Sequence, residues 1–92
     1  MMETTKINGF EVKLSGKHPA IIIRNNDRFG AVASVAEILA KHKINIAQME
    51  VTRNDIGKEA LMVIEVDDQV DDHVLKELEK ANHIIQISRI EQ

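Results

Sequence analysis

Cysteine is absent from the 92-residue chain. Its absence removes disulfides, thiol nucleophiles, thiolate-bound zinc and cysteine-ligated iron–sulfur clusters from the chemistry this chain can hold. Tryptophan and tyrosine are missing as well, which leaves Phe10 and Phe29 as the whole aromatic complement. A sheet that reads RNA stacks bases on rings carried by its central strands. The stretch Glu59-Ala60-Leu61-Met62-Val63-Ile64 has no ring, so that use is excluded. No apolar run approaches the roughly 20 residues that span a bilayer, and Met1-Met2-Glu3-Thr4-Thr5-Lys6 lacks the apolar core of a signal peptide. A cytoplasmic protein is the expectation. The net charge of −3 offers no basic excess, so neither nucleic acid nor membrane is an expected partner.

Chemistry-bearing motifs are also scarce. Glycine-rich phosphate loops are absent, and His18, His42, His73 and His83 are scattered without metal-ligand spacing. The four imidazoles read as solvated surface groups, and no metal ligand is expected. Asp67-Asp68 and Asp71-Asp72 flank a turn and a helix start, where capping and solubility explain them better than a catalytic dyad. No catalytic residue is assigned.

The apolar pattern is informative. Met1 to Lys6 reads as a flexible leader and residues 7–92 as one domain. Phe10, Val12 and Leu14 alternate with polar residues as an extra N-terminal strand, which the single proline, Pro19, separates from the next. Ala20 to Ile23 and Ala60 to Val66 are apolar on consecutive residues, as central strands are. Between them, Val32, Val35, Ala36 and Leu39 recur at helical spacing over Ala31 to His42. Ala47, Met49 and Val51 then alternate as the inward face of an outer strand. Val74, Leu75 and Leu78 mark a second helix capped by Asp71 or Asp72, and a last strand holds Ile85 and Ile87 on one side.

The order β-α-β-β-α-β predicts an α+β, ferredoxin-like sandwich: a four-stranded antiparallel sheet with two helices on one face. The other face then needs a cover, supplied by the N-terminal segment, a second copy or a neighbouring domain. A fold of this kind does not dictate function. Acylphosphatase-like chemistry would call on Arg24 and Asn25, though nothing in their spacing requires it.

The candidate site is the turn Asn25-Asn26-Asp27-Arg28-Phe29-Gly30, which opens the first helix. Unpaired N–H groups and the partial positive charge of a helix N-terminus suit a small carboxylate. Backbone amides near Phe29, Gly30 and Ala31 are assigned to a carboxylate, and Asp27 to an ammonium group that Asn25 and Asn45 orient. The bland alternative leaves Asp27 as a helix cap and Asn45 as a turn residue.

Asn25 to Asn45, with Asp27-Arg28-Phe29-Gly30, a helix and Lys43-Ile44-Asn45-Ile46, closely resembles an ACT domain. INGFEVKLSG, NNDRFGAVASVAEILAKHKINIAQMEVTR and GKEALMVIEVD resemble more particularly the C-terminal ACT segment of the beta subunit of bacterial iron–sulfur-dependent L-serine dehydratases. The resemblance covers about residues 7 to 90. A similar segment ends many D-3-phosphoglycerate dehydrogenases, in which the turn positions matching Asn25 and Asp27 are typically histidine and asparagine. Phe29 stands where proline is usual, and Asn45 keeps the pattern.

The resemblance implies a βαββαβ regulatory module, not an enzyme in isolation. It also implies pairing as a homodimer or docking on a catalytic domain or alpha subunit, with an amino acid, L-serine above all, bound between copies. It implies no cofactor in this chain. A [4Fe-4S] cluster is expected in the catalytic part of the parent enzyme, which converts L-serine to pyruvate and ammonia. The alternatives are the phosphoglycerate dehydrogenase segment and a ligand-free dimerisation module.

Overall fold

Two apolar layers around one sheet account for nearly every buried side chain. The computed structural model describes residues 3–7, 10–14, 18–26, 30–55 and 58–90. Six strands and two helices follow in the order β1 (Glu3–Ile7), β2 (Phe10–Leu14), β3 (Ala20–Asn26), α1 (Ala31–Lys41), β4 (Ile46–Asp55), β5 (Glu59–Val66), α2 (Asp72–Glu79) and β6 (Ile84–Ile90). Strands β4-β5-β3-β6 form an antiparallel sheet in that spatial order, and β1 and β2 form a separate hairpin. This is the ferredoxin-like arrangement expected from the element order. The two apolar runs are its central strands.

Side chains alternate across the sheet. On the helix side, Ile21 and Ile23 of β3 and Met62, Ile64 and Val66 of β5 are buried with Val35 and Leu39 of α1 and Val74 and Leu78 of α2. On the other side, Ala20, Ile22, Leu61 and Val63 form a second, smaller cluster, with Ile90 against it. No helix covers that face. The β1–β2 hairpin lies there instead, with β2 against β5. The cover is thus two strands, not the one extra strand expected. Glu3–Lys6, expected as part of a flexible leader, form β1 together with Ile7.

Three apolar patterns come out differently from their sequence reading. The buried stripe of α1 is Ala31, Val35 and Leu39, whereas Val32 is 38% exposed. Ala31 turns inward as the first helical residue, which rotates the stripe by one position from the expected one. In β4 the register shifts between Ile46 and Gln48, so Ile46 and Met49 both reach the core while Ala47 is exposed. Val51 is 41% exposed because β4 is a sheet edge with no element beyond it among the described residues. In β6 a shift opposite Arg24 and Asn25 sends Ile84 and Ile87 to the core and leaves Ile85 41% exposed. Ile85 and Ile87 therefore do not share a side. An edge bulge inserts one residue and resets the alternation.

Candidate functional site

Strand β3 ends beneath the mouth of α1, and the last residues of that strand set the chemistry there. Arg24 and Asn25 are consecutive, so they face opposite sides of the sheet. Arg24 lies on the hairpin side, where Nε stands 3.1 Å from Glu59 Oε1 without an aligned hydrogen bond. Asn25 lies on the helix side and is 2% exposed. The two cannot converge on one phosphate, which removes the acylphosphatase-like reading.

Asn25 Nδ2 donates to the carbonyl of Asn26 at 2.9 Å. That acceptor fixes which end of the amide is which, because only the nitrogen end can donate. Oδ1 is left buried with no hydrogen-bond partner. A buried acceptor without a donor costs about 1–3 kcal/mol. Such an atom calls for a donor from outside the chain.

Above it, α1 opens at Gly30, whose φ of 86° is in the left-handed region. A methyl group there would meet nothing within 4 Å, so the backbone angle is what asks for glycine. Among the described residues no side chain caps this helix, and its first turn holds no acidic residue. Ser34 N–H closes the first helical bond, to the Gly30 carbonyl at 2.9 Å. The N–H groups of the preceding turn, Ala31 included, have no helical acceptor. An uncapped N-terminus of this kind favours an anion. Asp27 and Phe29, also assigned to this site from the sequence, lie outside the described residues.

Asn45 is at the far end of the sheet. A left-handed turn delivers it: His42 caps α1, Lys43 takes φ 59°, Lys43 N–H donates to Ala40 and Ile44 N–H to Leu39, both at 2.9 Å. This is the Schellman pattern with lysine where glycine is usual. Asn45 Nδ2 then donates to Asp67 Oδ2 at 3.0 Å, and Asp67 N–H donates to the Asn45 carbonyl at 3.1 Å. Strand β5 separates Asp67 from Ala60, the partner of Asn25. Its length puts roughly 20 Å between the two asparagines. Within one copy Asn25 lies near the end of β3, shortly before Gly30 and Ala31 open α1, and Asn45 lies at the other end of β5.

Two features escape the sequence reading. Glu77 of α2 binds both Lys41 Nζ at 2.9 Å and His42 Nε2 at 2.8 Å, joining the helices. The His42 imidazole first, then Lys41, holds the Glu77 carboxyl below its ordinary range. His42 also sets its ring edge against His73, with centroids 5.5 Å apart. His42 is therefore held among neighbours of α2, whereas His73 stays exposed, as the sequence reading has it. The helices run antiparallel, and that pairing, not spacing along the chain, brings position 42 to position 73. Among the described residues no group of three or more ligating side chains could hold a metal ion.

A groove of about 510 Å³ runs between the helices, lined by Ser34, Glu37, Ile38, Lys41, Glu77 and Ala81 among others. Asn25, Gly30 and Asn45 are not part of it.

Comparison with known proteins places this geometry in a family. The family model of the ACT domain matches residues 20–83, from the start of β3 to the turn before β6. The chain belongs to the ACT family. ACT domains are regulatory modules, and their fold is seen in the solved ACT domain from GTP pyrophosphokinase of Chlorobium tepidum. That structure covers 78% of this chain with a TM-score of 0.64 at 16% identity, and 95% of it is matched. The probable L-serine dehydratase beta chain of Bacillus subtilis is 56% identical over 97% of this chain, which spans 40% of that relative's length. The D-3-phosphoglycerate dehydrogenase of the same organism is 33% identical over 94% of this chain, which spans 16% of it. No helix of the described residues is long and apolar enough to cross a membrane.

Proposed function

We propose that this ACT domain is the amino-acid-sensing part of an L-serine dehydratase, and that two copies build the L-serine site together. The observation that carries the reading is the buried, unpartnered Oδ1 of Asn25 near the end of the strand that leads into α1, a helix with no side-chain cap among the described residues. An α-amino acid answers both needs. Its carboxylate takes the N–H groups of Gly30, Ala31 and their neighbours, and its ammonium group donates to Asn25. Asp27 and Phe29, close by in sequence, are assigned to the same site, with Asp27 as a second acceptor for the ammonium.

Pairing supplies Asn45. Strand β4 is an edge, and Val51 on it is exposed on the helix side, opposite Met62. Val32 of α1 sits about 200° around the helix from Ser34, hence on the flank away from α2. These two exposed apolar residues border one side of the domain. Twofold pairing of β4 with its copy reverses the strand. Asn45, just before β4, then comes to the Asp55 end of the other copy. The pairing of Asp55 with Glu59, and of Glu59 with Asn26, puts that end beside the α1 mouth.

Sensing works by difference. Serine held between two copies favours the paired arrangement, and by linkage it biases whatever catalytic part that arrangement touches. That part is another domain or an alpha subunit, where the [4Fe-4S] cluster and the conversion of serine to pyruvate and ammonia belong. Without cysteine this chain does not fit the cluster. The dehydratase is preferred over phosphoglycerate dehydrogenase as parent because identity is 56% against 33% over nearly the same residues.

Titration of L-serine into the chain by calorimetry, alongside sedimentation, tests the reading. Saturable heat with one serine per copy, and tighter pairing in its presence, are expected. A silent titration at millimolar serine with a stable dimer would leave a ligand-free dimerisation module, for which Val32 and Val51 already speak.

A further inference from the structure

The two asparagines are held in the same sense, and the residue that holds the second has no role yet. Asn25 gives its Nδ2 to Asn26 O and keeps Oδ1 open. Asn45 gives its Nδ2 to Asp67 Oδ2. A carboxylate only accepts, so Asn45 cannot turn its amide over without setting oxygen against oxygen. We infer that Asp67 is a positioning residue, locking Asn45 acceptor-outward so that the site selects a protonated primary amine.

This inference rests on the shared site proposed above and deepens it into a rule of specificity. An amide free to flip presents a donor as readily as an acceptor, and it would welcome a hydroxyl in place of an ammonium. With Asp67 in place, Asn45 offers an acceptor. Asp67 is well built for the task. Its own N–H bonds the Asn45 carbonyl at 3.1 Å, so backbone and side chain clasp the same residue. The clasp joins the α1–β4 turn to the end of β5, and neighbouring Val66 N–H is fixed to the Pro19 carbonyl at 2.9 Å. Both Asn45 and Asp67 are exposed in a single copy. The bond between them gains its full effect only where a second copy excludes water.

The ligand class follows. Small α-amino acids with a free ammonium group bind, and the corresponding 2-hydroxy acids, which carry a hydroxyl at that position, are rejected. For serine the matched pair is L-serine and glycerate.

Calorimetry on Asp67→Ala, with both compounds and with an Asn45→Ala background, tests the inference. L-Serine affinity should fall about tenfold, the scale of one misdirected bond to a charged group. Affinity for glycerate should stay level or rise, so discrimination narrows. In the Asn45→Ala background, Asp67→Ala should have no further effect, because Asp67 acts through Asn45. A merely structural role would weaken both compounds alike and would show in thermal unfolding. Equal losses, additive losses, or unchanged discrimination in a variant that still folds would overturn the positioning role and leave the shared site standing. Absence of serine binding by the unaltered chain would remove the site, and the role with it.

Discussion

Removal of residues 1–17 is expected to cost the domain its cooperative fold. The hairpin they contain is the cover over Ile22, Leu61, Val63 and Ala20, which are at most 7% exposed. Full exposure of a large aliphatic side chain costs about 1.5–3 kcal/mol. Three of them together approach the whole stability of a small domain, about 5–15 kcal/mol. The remaining chain, β3 to β6 with both helices, keeps every residue of the candidate site. Circular dichroism and sedimentation should therefore report either loss of the thermal transition or association through the bared sheet. A monodisperse shortened chain with an unchanged melting midpoint would show that β1 and β2 contribute nothing, and that another surface shields Ile22 and Leu61.

Asn25→Val is expected to separate stability from ligand binding. Asn25 sits on a central strand among apolar neighbours, and its open Oδ1 has no partner. Valine suits a strand and carries no acceptor, so it relieves that burial. It surrenders the bond to Asn26 O, which lies at an exposed strand end and can turn to water. Stability should hold level or rise by about 1 kcal/mol. Serine affinity should fall by roughly 10- to 100-fold, since a bond to the ammonium is lost. A stability gain paired with a binding loss identifies a residue kept for its ligand. If the variant binds serine as the unaltered chain does, Asn25 is a structural asparagine. If it unfolds, the amide is doing unseen work in the core.

Much of this fold was legible before any coordinates. Consecutive apolar residues at Ala20–Ile23 and Ala60–Val66 leave no face for water, and both became central strands. Apart from Val32, which the first helix leaves exposed, what failed did so at the sheet's edges and in the N-terminal segment. Val51 looked inward by alternation, yet nothing lies beyond β4 to cover it. Ile85 lost its expected side to a bulge, and a bulge depends on how two strands meet, not on one strand's pattern. Glu3–Ile7, polar at four of five positions, gave no strand period to read. It pairs because β2 lies opposite.

The site divides in the same way. The opening of α1 at Gly30 was readable from turn chemistry, and the place of Asn25 near the end of β3 from the turn that follows it. The open acceptor on Asn25 was not, because it depends on where Asn26 O points. Nor was the clasp from Asp67, 22 positions away, which only the end of β5 brings to Asn45. Separation of the two asparagines within one copy was equally hidden. It follows from a helix that carries the chain the length of the sheet before Asn45 appears.

The shared site makes a demand that no single-copy site makes. Asn25→Val and Asn45→Ala chains should each bind serine roughly 10- to 100-fold more weakly when alone, so that at a serine level filling the original site both are nearly empty. Mixed and allowed to exchange partners, half of the pairs hold one of each, and each mixed pair has one intact site of two. About a quarter of the original binding capacity should therefore return, as calorimetry reads it. No recovery in a mixture whose partners have demonstrably exchanged would contradict a site built from Asn25 of one copy and Asn45 of the next.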